Sequence, residues 1–70
     1  MSKRSYGGGN FIELACEIKH ATPGAVLIHD GCKQCWIPRS QLDTPDDEII
    51  VGSHMELLVA EWFATKNGLI

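Results

Sequence analysis

Cys32 and Cys35 stand three apart in the stretch HDGCKQCWIPRSQ, with His29 just ahead of them and Trp36 just behind. Paired thiols at this spacing serve two chemistries, zinc ligation and dithiol redox exchange. Zinc needs both sulfurs about 2.3 Å from one ion, so such a pair normally brackets a turn. Here the turn residues Asp30-Gly31 precede the pair, and in a strand residues 32 and 35 point to opposite faces. A complete site also needs two more ligands. Cys16 and His29 could supply them, but no common ligand spacing is present. A dithiol active site places its first cysteine at a helix N-terminus, which this sequence does not offer. The pair therefore reads as part of a hairpin and no metal or other cofactor is expected. If a metal did bind, Cys32, Cys35, Cys16 and His29 would hold it.

The other reactive side chains are scattered. His20, His29 and His54 fall in or beside turns, without a nucleophile and carboxylate arranged around them. Gly7-Gly8-Gly9 lacks the lysine and the strand-to-helix context of a phosphate loop. No enzyme is expected. Asp43, Asp46, Asp47 and Glu48 form an acidic loop without the central glycine of a calcium loop. Such a loop suits a basic partner, raising association rate more than affinity. Trp36, with Lys33 and Arg39 nearby, admits three readings: a platform for single-stranded nucleic acid, an anchor in a protein interface, or a residue covered by a C-terminal helix.

The elements that must position these residues follow from hydrophobic period. From Phe11 to Lys19 one parity is apolar (Ile12, Leu14, Cys16, Ile18) and the other mostly charged, which predicts a half-buried strand. His20 to Gly24 reads as a turn and Ala25 to His29 as a second strand. Asp30-Gly31 predicts a two-residue hairpin turn that sets His29 opposite Cys32 and Val26 opposite Cys35. The returning strand, Cys32 to Ile37, ends at Pro38, and Arg39 to Leu42 forms one turn. Glu48 to Val51 and Met55 to Val59 read as two more short strands. Ala60 to Gly68 reads as a helix whose Trp62 and Phe63 face the sheet and whose Asn67-Gly68 supplies a left-handed end.

The whole is mainly β with one C-terminal α-helix, a small antiparallel barrel or bent sheet of about five strands of the OB or SH3-like kind. Residues 1–10 read as a flexible tail and 11–70 as one domain. With 70 residues, 44% hydrophobic and 21% charged, the chain suits one marginal globular domain, not disorder. No apolar run is long enough to span a bilayer, and three cysteines suit a reducing compartment, so a cytoplasmic location is expected. The net charge of −3 argues against general affinity for a nucleic-acid backbone.

The strand AVLI followed by DG, then WIPRSQL, an acidic loop, a strand and the terminal EWFATKNGLI resemble a family of small phage and prophage proteins. That family's pattern has WIPKSQ and a terminal helix beginning EWLA. The resemblance runs from Cys16 to Ile70; Cys32 and Cys35 lie outside the pattern, and Ala60 stands where it has proline. It implies a small β-rich fold in a phage context.

By analogy with counter-defence and anti-CRISPR proteins, the chain reads as a non-enzymatic accessory protein that binds and inhibits a nucleic-acid-binding host protein. The acidic loop, Trp36 and Arg39 are its expected contacts. Two alternatives remain: a single-stranded nucleic-acid-binding module and a zinc-stapled adaptor. Pairing between copies through an uncovered edge strand fits any of the three.

Overall fold

The computed structural model describes residues 10–70; the expected tail, apart from Asn10, lies outside them. Four strands, β1 (Phe11–Ala21), β2 (Ala25–His29), β3 (Gln34–Pro38) and β4 (His54–Ala60), precede one helix, α1 (Glu61–Lys66). They form a single antiparallel sheet in the order β3-β2-β1-β4. The fold is thus mainly β with a C-terminal helix, and the sheet has four strands, not five. Residues 48–51 do not form a strand. Pro45 leads into a 3-10 turn over Asp46–Glu48, and Ile50 sits in a turn whose carbonyl accepts both the N–H (3.1 Å) and the hydroxyl (2.6 Å) of Ser53.

β1 occupies the centre because its alternation supplies one apolar face along its whole length. Leu14, Cys16 and Ile18 are buried there, opposite Leu57 and Val59 of β4 and beside Val26 and Ile28 of β2 and Ile37 of β3. β1 runs further than the expected turn at His20: the ladder slips by one residue between Ile18 and His20, and His20 then pairs with Leu27. The slip leaves Lys19 unpaired in the ladder as a bulge, which sharpens the local twist. The turn itself is shorter, Thr22 to Gly24, tied by the Thr22 N–H and hydroxyl to the Ala25 carbonyl (2.8 and 3.1 Å).

α1 and the segment after β3 close the apolar face. Ala64 and Leu69 are buried in the core, with Phe63, Leu42 and Ile49 packed against it. Trp62, expected to face the sheet, is exposed, its ring perpendicular to that of Phe63 with 5.7 Å between centroids. The helix ends as its sequence predicts. Gly68 has φ +70°, the Leu69 N–H reaches the Ala64 carbonyl (2.8 Å), and the Gly68 N–H reaches that of Thr65 (3.2 Å), the paired bonds of a Schellman end.

Lys33, from the β2–β3 loop, donates its ammonium to the Asn67 carbonyl at 2.6 Å. A Cβ at Gly68 would sit 2.7 Å from that nitrogen, in a backbone conformation that disfavours any side chain. Gly68→Ala should therefore cost about 1 kcal/mol from the left-handed conformation alone, and displace Lys33. Thermal unfolding should show a drop of about 4–8 °C. An unchanged melting temperature would mean that the helix end is not held as described.

Candidate binding face

The two thiols of the opening motif end up in different places. The hairpin loop has four residues, Asp30 to Lys33, so that His29 pairs with Gln34, Ile28 with Cys35 and Val26 with Ile37. The expected register of His29 with Cys32 is off by two residues. A two-residue shift preserves parity, so Cys35 still falls on the inner face with Val26, Ile28 and Ile37.

The reason for the longer loop is the Asp30 carboxylate. Its Oδ1 accepts the N–H groups of Cys32 (2.8 Å) and Lys33 (2.9 Å), while Gly31 takes φ +102° and donates its N–H to His29 Nδ1 (3.0 Å). Those backbone bonds hold the Asp30 carboxyl below its ordinary pKa of 3.8. The stabilisation is present above the unfolded carboxylate value and disappears as pH falls through the lowered folded value. Acid titration of Asp30→Ala beside the native chain should show the native advantage shrinking below pH ~4. A constant difference down to strongly acidic pH would refute this role.

Cys32 is exposed in the loop, Cys35 half-buried and Cys16 buried. Burial, with the Asp30 charge adding to it, pushes the Cys16 thiol up to about 11. Burial likewise raises Cys35 above the ordinary thiol, against the opposing charge of Lys33. Since the thiolate is the reactive form, alkylation near neutral pH should label Cys32 first, Cys35 more slowly and Cys16 only on unfolding, as peptide mass spectrometry would resolve. Labelling of Cys16 in the folded chain at the rate of Cys32 would contradict the burial. Among the described residues, no three His, Cys, Asp or Glu side chains are grouped to hold a metal ion. Cys16, His29, Cys32 and Cys35 do not converge.

The cations and acids of the expected site are partly committed to the fold. Arg39 donates through Nε to the Thr22 carbonyl (2.8 Å), its Nη1 lies 2.7 Å from Asp46 Oδ1, and its N–H reaches the Gly24 carbonyl (3.0 Å). It clamps the β1–β2 turn to the end of β3. The Asp43 N–H donates to the Leu58 carbonyl (2.8 Å) and the Leu58 N–H to the Thr44 hydroxyl (2.9 Å), with Leu42 bridged to Val59. This short segment covers the outer edge of β4. Asp47 and Glu48 are exposed.

Trp36 is not under the helix. It lies on the outer face of the sheet, 49% exposed, with the His20 ring perpendicular to it and 6.1 Å between centroids. On that face no core forms among the described residues. Glu13 and Glu56 are exposed, Glu17 and Leu27 half-buried, and Glu17 pairs across the ladder with both His29 and His54. Its carboxylate oxygens lie 3.8 Å from His54 Nε2 and 3.7 Å from Lys19 Nζ. A shallow cleft of about 410 Å³ opens there, lined in part by Glu17, His29, Asp30, His54 and Glu56. Period-two alternation marked Glu13 and Glu17 as outward; that Glu56 and two histidines join them depends on strand pairing, which no local pattern encodes.

Compared with family models, curated proteins and solved structures, the chain matches none of them. Among the described residues no helix is long and apolar enough to cross a membrane.

Proposed function

We propose that this chain is a non-enzymatic binding protein of phage type, acting in the host cytoplasm, that occupies and inhibits a host protein through that protein's basic, nucleic-acid-binding surface. The observation that carries the reading is the outer face of the sheet, uncovered among the described residues, where a half-exposed Trp36 shares one surface with Glu13, Glu17 and Glu56. Tryptophan is enriched among residues that dominate binding energy. Carboxylates elsewhere on the same face steer a basic partner and select against acidic ones. Asp47 and Glu48 of the acidic loop add to the same negative field, whereas Asp46 is offset by its ion pair with Arg39.

The resemblance to phage and prophage proteins supports the context, and the fold gives its most specific motif a physical content. In Trp36-Ile37-Pro38-Arg39, Ile37 fills the core, Trp36 faces outward, Pro38 ends the strand and Arg39 clamps the neighbouring turn.

The nucleic-acid reading, with its OB or SH3-like comparison, needed Lys33 and Arg39 beside Trp36 to neutralise phosphates. Both cations are directed to carbonyls of the chain itself. The zinc-stapled adaptor needed converging thiols. Of the features that the two alternatives need, only the exposed Trp36 is met.

The test is capture from host lysate at low salt, with the native chain beside Trp36→Ala and a Glu13→Gln, Glu17→Gln, Glu56→Gln triple variant. The expected result is a basic nucleic-acid-binding protein retained by the native chain and lost by both variants, with release as salt rises. Retention of nucleic acid alone, or of the same proteins by all three chains, would overturn the proposal.

A further inference from the structure

The two edges of the sheet differ. The edge of β4 is occupied by Leu42 to Thr44, as described, whereas among the described residues no backbone bond from outside the hairpin reaches β3. The bonds at the two ends of the hairpin, Arg39 N–H to Gly24 and Asp30 N–H to the Lys33 carbonyl (3.0 Å each), mark its hydrogen-bonded rungs. Alternation puts Cys35 and Ile37 on bonded rungs with Ile28 and Val26, so Gln34, Trp36 and Pro38 turn their peptide groups away from β2.

We propose that a second copy of this chain occupies the β3 edge, the two β3 strands pairing antiparallel about a two-fold axis at Trp36. In this register each Trp36 N–H meets the other copy's Trp36 carbonyl, and each Gln34 N–H meets the other copy's Pro38 carbonyl. Pro38 has no N–H to give, and the carbonyl it would have served, that of Gln34, lies at the last rung, open to water. A partner strand running on past Pro38 would lose that bond inside its ladder. Self-pairing therefore fits this five-residue edge. The two Trp36 side chains come together on the outer face, Cβ atoms about 5 Å apart, and the two outer faces become one continuous surface.

Charge permits the contact in a chain of net charge −3. Gln34 to Pro38 carry no charged side chain; beyond them Lys33 of one copy comes opposite Arg39 of the other, a like-charge contact that Asp46, paired to Arg39, offsets. The carboxylates of β1 and β4 lie two and three strands away. At ~4.8 Å per strand they are more than ~20 Å from their counterparts, beyond the ~8 Å Debye length at physiological salt. Pairing should therefore depend little on salt.

The experiment is sedimentation equilibrium of the untagged full chain over a concentration series, with circular dichroism to establish folding. The expected result is an average mass rising from 7.7 kDa toward twice that value. Trp36→Glu, which places two carboxylates at the axis, should weaken the dimer by about tenfold or more with an unchanged spectrum. If that variant does not fold, Gln34→Pro, which removes one outward N–H and no bond to β2, serves in its place. The Glu13→Gln, Glu17→Gln, Glu56→Gln variant should dimerise as the native chain does, which separates the pairing edge from the carboxylates of the proposed host-binding face, Trp36 being common to both. A mass that stays at 7.7 kDa throughout, or a dimer that a folded edge variant leaves intact, would overturn the inference.

Discussion

Leu57→Ala should leave much of the protein unfolded at 37 °C. Leu57 is fully buried on β4, opposite Leu14 on the central strand, and belongs to the apolar cluster between the sheet and α1. Truncating a buried leucine costs ~2–5 kcal/mol, the sum of lost transfer free energy and the cavity left behind. A domain of about 60 residues has only ~3–9 kcal/mol to lose. Its neighbour gives the control: Leu58 points to the outer face and is half-buried, so Leu58→Ala should cost less than about 1 kcal/mol. Urea unfolding of the pair decides the matter. Equal losses at 57 and 58 would mean that the sheet buries both faces.

Arg39→Ala should cost about 2 kcal/mol, more than any other substitution of a charged residue in the described chain. Its side chain is only 22% exposed, and its removal leaves the Thr22 carbonyl without the guanidinium bond that joins turn to strand. Hydrogen bonds from charged groups contribute ~1.5–3 kcal/mol. The ion pair with Asp46 contributes less, because that carboxylate is 79% exposed and screened by water. A double-mutant cycle with Asp46→Ala should therefore return a coupling below about 1 kcal/mol. Arg39→Lys should recover little, since a single ammonium cannot reproduce the planar fork that serves two acceptors. Full recovery by lysine, or a coupling equal to the whole loss, would show that charge and not the carbonyl bond carries the effect.

How far the sequence speaks depends on whether a residue's fate is local. The inner face of β1 and the extent of β2 are legible in their alternation and their branched residues, and the helix end is legible in Asn67-Gly68. The hairpin misleads because Asp30-Gly31 is read as a two-residue turn, while the Asp30 carboxylate prefers to cap two N–H groups and draws Cys32 and Lys33 into the loop. Ile49, Ile50 and Val51 have strand-forming side chains, yet no ladder awaits them. The Gly52 N–H goes to the Ile18 carbonyl (2.7 Å) and the Ile18 N–H to the Ser53 carbonyl (2.9 Å), so that just past the β1–β4 ladder Ile18 uses both peptide groups on a turn. For the binding face, the exposure of Trp36 and the engagement of Lys33 and Arg39 were set by contacts with residues far along the chain, Asn67 and Thr22 among them. Spacing in sequence is silent on these.

The sheet order has a bearing on how the chain is made. β1 is central, yet it is made before the strands it pairs with, and its longest ladder joins Phe11–Glu17 to His54–Ala60, far along the chain. At ~5–20 residues per second, that strand spends seconds with one whole edge unpaired and its apolar side bare. Long-range pairing of this kind closes late. During that interval Glu13, Glu17 and Lys19, set between the apolar residues of the nascent strand, act as gatekeepers against stacking with other unfinished chains. Neutralising these three at once should lower soluble yield during synthesis, even though the finished sheet buries none of them.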